Sequence, residues 1–144
     1  LGICFGHQIL AKSLGGDVNR ALECTDLVSE VNLTEIGFSD PLFTELPIPR
    51  GLFTHQDHVR KLPPNSILLA TIEHTNNCAF RVVDLNGIML PAWGLQFHPE
   101  AQDSVISHAI KMSEFSIEQQ EVFSAPHDGG KVLTNLANIA MGLQ

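Results

Sequence analysis

Leu1-Gly2-Ile3-Cys4-Phe5-Gly6-His7-Gln8 opens the chain and decides how the rest is read. A small residue on either side of a central nucleophile, after apolar residues, is the pattern of a sharp turn from strand into helix. The glycines leave room for backbone that a side chain would block, and the central residue is pushed out above the sheet edge. Here that residue is Cys4. Attack of sulfur on a carbonyl carbon needs an exposed thiol, easily ionised, with a base nearby. The turn supplies the exposure, and a helix starting near Gly6 turns its positive dipole end toward the site. The turn itself holds no base.

A candidate base lies far down the chain, in Gly94-Leu95-Gln96-Phe97-His98-Pro99-Glu100. A histidine can take a thiol proton and later return it to a leaving group, and a carboxylate can hold the ring in the productive tautomer. Only Pro99 separates His98 from Glu100, so the local backbone is stiff and both side chains can reach one side of a loop. Catalytic cysteines and histidines meet in space rather than in sequence. A cysteine after an apolar run is ordinarily a core residue, and a His-Pro-Glu turn is ordinarily surface. Two such segments, each on the carboxyl side of a strand-like stretch, point instead to a nucleophile and its base.

On these two segments the chain resembles the class I glutamine amidotransferases, whose Cys-His-Glu triad releases ammonia from glutamine. Between them, Thr54-His55-Gln56-Asp57-His58-Val59 and Leu62-Pro63-Pro64 are similar to the family's His-x-Asp-x-Val and Leu-Pro stretch. Residues 70–80, with Glu73-His74 and Ala79-Phe80-Arg81, resemble its stand-alone, GMP-synthase-like branch. The resemblance implies Cys4, His98 and Glu100 as catalytic residues, with a γ-glutamyl thioester on Cys4. The Phe5 main-chain N–H would be an oxyanion donor, Gln8 would bind the substrate's amino-acid end, and Thr54, His55 and Gln56 would line its pocket. No cofactor is implied. The partners would be glutamine or another γ-glutamyl small molecule, and an ammonia-accepting synthetase in trans. Two alternatives stay open: a γ-glutamyl peptidase with the same triad, and a non-catalytic amidotransferase-like fragment.

The expected fold is α/β, a three-layer domain with a mainly parallel, flavodoxin-like sheet, helices on both faces and an antiparallel hairpin. In the family the elbow falls mid-domain. Residues 1–144 would therefore be the C-terminal two-thirds of one domain, with core resemblance over 1–100, a helical tail over 101–144 and the N-terminal strands missing. A second oxyanion donor would come from a loop after an earlier strand. The chain alone is accordingly expected to be inactive, with an open strand edge that invites association.

Composition narrows the classes. An apolar fraction of 44% and a charged fraction of 17% suit a globular domain. No run approaches the roughly 20 apolar residues of a membrane span, and a net charge of −8 argues against nucleic acid. Three cysteines, Cys4, Cys24 and Cys78, form no paired framework, which suggests a reducing, cytoplasmic setting. Cys24 and Cys78 lack a base or Gly-rich turn and are taken as inert. His55, Asp57 and His58 are not taken as a metal site, for want of a helix signal or a second cluster.

Along the chain, a helix is expected from about Gly6, with Ile9, Leu10 and Leu14 inward and Gly15-Gly16 as its end. Residues 25–33 alternate as an edge or antiparallel strand. Asp40-Pro41 should cap one or two helical turns reaching Leu46. Residues 52–55, 66–72, 78–84 and 88–97 read as strands, with a hairpin turn at Asn86-Gly87. Met89-Leu90-Pro91-Ala92 looks like an addition at that turn, with Pro91 confined to an edge or bulge. Helices are expected over 104–115, carrying Val105, Ile106, Ala109 and Ile110, and over 128–143, capped by Asp128. Trp93 is assigned to the core or hairpin, and His7 to packing beside the elbow.

Overall fold

A computed structural model describes residues 1–112 and 116–143. Strand β1 (Gly2–Ile3) runs into helix α1 (Phe5–Ser13), followed by β2 (Asp17–Glu30), β3 (Asn32–Leu33) and α2 (Glu35–Ser39). A single 3-10 turn (Pro41–Phe43) leads to β4 (Arg50–Lys61), β5 (Ser66–Ile72), β6 (Thr75–Val83) and β7 (Met89–Leu95). Helices α3 (Asp103–Met112), α4 (Ile117–Phe123) and α5 (Gly129–Met141) complete the described elements. The main sheet has the order β1-β7-β6-β5-β3, and β2 with β4 forms a separate two-stranded ribbon. Among the described residues no helix is long and apolar enough to cross a membrane.

The α/β architecture expected from the sequence is present, with helices on both faces of the sheet. Its parallel pairing within the described strands is β1 against β7, in the register Gly2 to Gly94 and Ile3 to Leu95. The pairs β7–β6, β6–β5 and β5–β3 are antiparallel. Short connections explain the β7–β6 and β6–β5 pairs, because a tight turn can join only antiparallel neighbours, whereas the chain passes from β3 to β5 through α2, the 3-10 turn and β4. At the β6–β7 turn Gly87 has φ +81°, a conformation open to glycine. The Asp84 carboxylate there accepts the N–H groups of Asn86 and Ile88, each at 2.8 Å. Pro91 lies where the β6–β7 register slips between Arg81 and Val83, the bulge its missing N–H requires.

The central core joins Phe53, Leu69, Ala79, Trp93, Leu95 and Phe97 to α5 through Val132, Leu136 and Ile139. Asn135 of α5 is buried and donates to the carbonyls of Leu42 and Thr44 at 3.1 and 2.9 Å. On the opposite face α1 packs Ala11 and Leu10 near Phe80, Val82 and Val59. The helix ends as expected. Gly15 has φ +88°, its N–H reaches the Lys12 carbonyl, and the Gly16 N–H reaches that of Ala11.

Its inward face differs from expectation. Ile9 and Leu14 are exposed, and His7, Gln8 and Ala11 are the buried residues. Gly94 on β7 is the reason: a Cβ there would meet His7 Nδ1 at 2.6 Å, so the glycine leaves a notch that takes the His7 ring. Of the elbow glycines, Gly2 is sterically required, since a Cβ would sit 2.6 Å from the Gly6 carbonyl oxygen. A Cβ on Gly6 meets nothing within 4 Å among the described residues.

Other differences concern element ends. Asp40 caps its turn as expected, accepting the Leu42 N–H at 2.9 Å, but the turn closes after Phe43. Helices α2 and α4 are additional to the expected elements, and Phe115 of the expected 104–115 helix lies outside the described residues. Asp128 sits at the α5 N-cap position without capping it; its carboxylate instead accepts the Arg50 N–H at 2.7 Å, tying α5 to β4.

Candidate active site

Cys4 occupies the point where β1 becomes α1, at φ +47° and ψ −102°. For a residue with a Cβ this backbone conformation costs on the order of 1–3 kcal/mol, and such strain gathers where a reactive group is displayed. It is held from both sides: the Cys4 N–H donates to Leu95 O at 2.8 Å, and the Gln8 N–H to Cys4 O at 3.1 Å. The parallel β1–β7 pairing therefore carries the elbow next to the strand that leads to His98. The Cys4 thiol points at the Thr54 carbonyl oxygen 3.8 Å away, and Gln96 Nε2 approaches the sulfur at 3.5 Å. Phe5 is the first residue of α1, and first-turn N–H groups have no partner within a helix. Its ring is exposed.

His98 follows β7, anchored by its N–H to Leu52 O at 2.8 Å. Its Nδ1 lies 2.7 Å from Glu100 Oε1, which leaves Nε2 for chemistry. Nε2 is buried and makes no hydrogen bond among the described residues. Burial opposes a charge on this ring, but the neighbouring Cys4 and Glu100 side chains favour the cation and outweigh it, raising the His98 pKa to about 10. Burial likewise opposes ionisation of Glu100, and the contact with His98 overcomes it, leaving the Glu100 pKa below its ordinary value. These two shifts belong to one coupled unit.

The sign of the pH dependence follows. A raised histidine pKa contributes stability fully present below 6.5, its ordinary value, and lost as pH climbs through about 10. The lowered Glu100 contributes stability above the ordinary carboxylate range, lost on acidification. The His98 ring C–H resonance is expected to titrate with a midpoint near 10 in wild type. It should move toward 6.5 in both Glu100→Gln and Cys4→Ala, because each removes one of the two side chains that favour the charged ring. A midpoint that stays put in both variants contradicts this account.

Two cavities flank the pair. One, of about 220 Å³, is polar and lined by Cys4, Gln8, Arg20, His55, Gln56 and Asp57. The other, of about 200 Å³, is apolar and lies against His98, Glu100 and Thr54, walled by Val105, Ile106, Ala109 and Phe123. Cys4, Gln8, His55 and Gln56 thus meet around one cleft. Thr54 faces the apolar side and touches Cys4 through its carbonyl.

Gln8 is buried in the scaffold, with its amide nitrogen 2.6 Å from Asp57 O and 3.3 Å from Gln96 Oε1. His55 Nδ1 lies 3.1 Å from Asp57 O, and burial lowers the His55 pKa, so its ring is neutral. His7 packs against Phe80, with Nε2 3.0 Å from Asn77 O, and burial drives its pKa down to about 4. Cys78 is buried and its thiol is pushed up by that burial, away from reactivity. The sequence pattern did not single out Gln96 beside the sulfur or Arg20 in the cleft. Gln96 lies within the base segment, two residues before His98, and that position was its one visible signal.

The description "Glutamine amidotransferase class-I" matches residues 1–116. The chain belongs to that family. Among its relatives is a glutamine-hydrolyzing GMP synthase subunit from Pyrococcus abyssi, 38% identical over 101 residues, which are 69% of this chain and 50% of that protein. The Pyrococcus furiosus protein of the same name is 40% identical over 103 residues, with the same coverage of 69% and 50%. The chain therefore spans about half the length of these curated relatives. A glutamine amidotransferase structure from Thermotoga maritima superposes with a TM-score of 0.67 at 24% identity, over 95% of this chain and 60% of that one. At that identity the likeness speaks for the fold.

Proposed function

We propose that the site of Cys4, His98 and Glu100, once completed by a second oxyanion donor, hydrolyses the side-chain amide of glutamine through a thioester on Cys4. The observation that carries this reading is the strained Cys4 beside a His98 whose Nδ1 is fixed by Glu100 at 2.7 Å and whose Nε2 is unengaged. His98 Nε2 takes the Cys4 thiol proton as the sulfur attacks the amide carbon, and the developing oxyanion is met by the Phe5 N–H. Losing one such donor typically costs roughly 10²–10³ in rate. The carbon–nitrogen bond breaks as His98 Nε2 gives its proton to the departing nitrogen, and ammonia leaves. Water then attacks the thioester, His98 accepts its proton and returns it to sulfur, and glutamate is released. Glu100 keeps the ring oriented and its charge compensated. Some relatives carry the name of a glutamine-hydrolyzing GMP synthase subunit. On that likeness we infer that the ammonia passes to a synthetase on another chain.

One observation favours a second reading. The apolar cavity against His98, with Val105, Ile106 and Phe123 in its wall, has room that ammonia does not use. A γ-glutamyl conjugate with an apolar amine would place its leaving group there. Glutamine and a γ-glutamyl dipeptide with an apolar second residue separate the two. Incubated with each, the protein is expected to form the γ-glutamyl thioester faster from glutamine, read by intact mass after acid quench. A clear preference for the dipeptide would hand the site to the second reading, and no acylation by either overturns both.

A further inference from the structure

The ribbon of β2 and β4 is interrupted at the cleft. Arg20 pairs with Asp57 and Thr25 pairs with His55, so four residues of β2, from 21 to 24, stand against the single residue Gln56 of β4. Extra residues in one strand bend it and re-aim the neighbouring side chains, and such irregularities recur beside active sites. Here the strand leaves its ladder immediately after Arg20. Gln56 holds both sides of the gap: its amide nitrogen donates to Ala21 O at 3.1 Å, and its Oε1 accepts from Arg20 Nε at 2.9 Å and Nη2 at 2.6 Å. The guanidinium is thereby fixed along one edge by a neutral group. It forms no ion pair among the described residues, and its Nη1 has no partner there.

Among the residues lining the 220 Å³ cleft with Cys4, Arg20 is the cation, because burial keeps His55 neutral. An exposed guanidinium that makes no ion pair among the described residues and whose orientation is set in advance suits a planar carboxylate. Asp57, its partner in the ladder, lines the same cleft with the opposite charge.

We propose that Arg20, held by Gln56 at the break in the β2–β4 ribbon, anchors the α-carboxylate of the substrate while its γ-carbonyl meets Cys4. Arg20 is then a specificity-determining residue: it selects γ-glutamyl compounds with a free α-carboxylate over amides or esters at that end. The inference rests on the reading of Cys4 as the nucleophile.

The test alkylates Cys4 with the diazoketone analogue of glutamine, in which a sulfur–carbon bond forms as dinitrogen leaves. Its α-methyl ester and iodoacetamide serve as comparison probes, all read by peptide mass at Cys4, because Cys24 is also an exposed thiol. Wild type should favour the free acid over the ester by about 10- to 100-fold, the worth of one charged hydrogen-bonded contact. Arg20→Gln should lose that preference by slowing the acid alone, with ester and iodoacetamide rates unchanged, and Arg20→Lys should recover part of it. Equal slowing of acid and ester would make Arg20 a merely structural residue and overturn the proposal. So would a wild type that does not distinguish them. If iodoacetamide labels Cys4 and the diazoketone acid does not, the proposed function falls and this inference with it.

Discussion

Cys4→Ala is expected to lower glutamine hydrolysis on the order of 10⁶-fold, the loss typical when the nucleophile of a cooperating triad is removed. On the proposed mechanism the triad acts as a unit, because without the sulfur His98 has nothing to deprotonate and no thioester forms for water to attack. Glutamine binding should stay within a few-fold of wild type, since the cleft residues Gln8, Arg20, His55, Gln56 and Asp57 are untouched. A second substitution separates chemistry from strain. Cys4→Gly removes the same sulfur but also the Cβ held at φ +47°. It should be as inactive as Cys4→Ala yet more stable than it by about 1–3 kcal/mol, measured by chemical denaturation. Alanine retaining a tenth of the wild-type rate would remove Cys4 from the mechanism. Equal stability of the two variants would remove the strain.

What the sequence made legible were features whose cause is local. The elbow follows from Gly2 and the residues around Cys4, because a Cβ at Gly2 would strike the Gly6 carbonyl whatever the rest of the chain does. Residues 66–72 form β5 with the bounds read from their strand-favouring composition, and Asn86-Gly87 makes its turn because Asp84 and Gly87 close it from within. Pro91 forces its own bulge. What escaped depends on partners distant in sequence. Ile9 and Leu14 have the right spacing for an inward face, yet the notch at Gly94 seats His7 instead. Asp128 has the right residue type for a cap, but the Arg50 N–H takes its carboxylate.

Helix α4 was within reach. Ser116 and Gln119 form a reciprocal capping box, a signal present in the sequence but faint because the helix it opens is only 7 residues long. Nothing local marks Arg20. Its place in the cleft comes from the register in which β2 meets β4, and that is settled only when the ribbon closes.

The largest effect on stability is expected at Asp40, far from the thiol. Its side chain is fully buried. One carboxylate oxygen accepts the Leu42 N–H at 2.9 Å and Trp93 Nε1 at 3.1 Å. The other lies 3.0 Å from Arg81 Nη1, and the Arg81 guanidinium carbon stands 4.4 Å over the Trp93 ring. Arg81 Nε also donates to Leu90 O at 2.8 Å, so the same residue holds the bulge that Pro91 imposes. Asp40→Ala leaves a nearly buried guanidinium and an indole N–H without their acceptor. Breaking one side of such a pair costs about 3–5 kcal/mol, which for a chain of this size corresponds to roughly 10–20 °C in Tm. Asp40→Asn, which keeps an oxygen for Leu42 and Trp93, should lose about half as much. The decisive variant pairs Asp40→Asn with Arg81→Met, because it removes both charges and their desolvation penalty, keeps both volumes, and leaves an amide oxygen to accept from Leu42 and Trp93. It should recover most of the stability lost by Asp40→Ala, measured by urea denaturation. If the double variant is no more stable than the single one, the cost lies in lost packing around Trp93 rather than in an uncompensated buried charge.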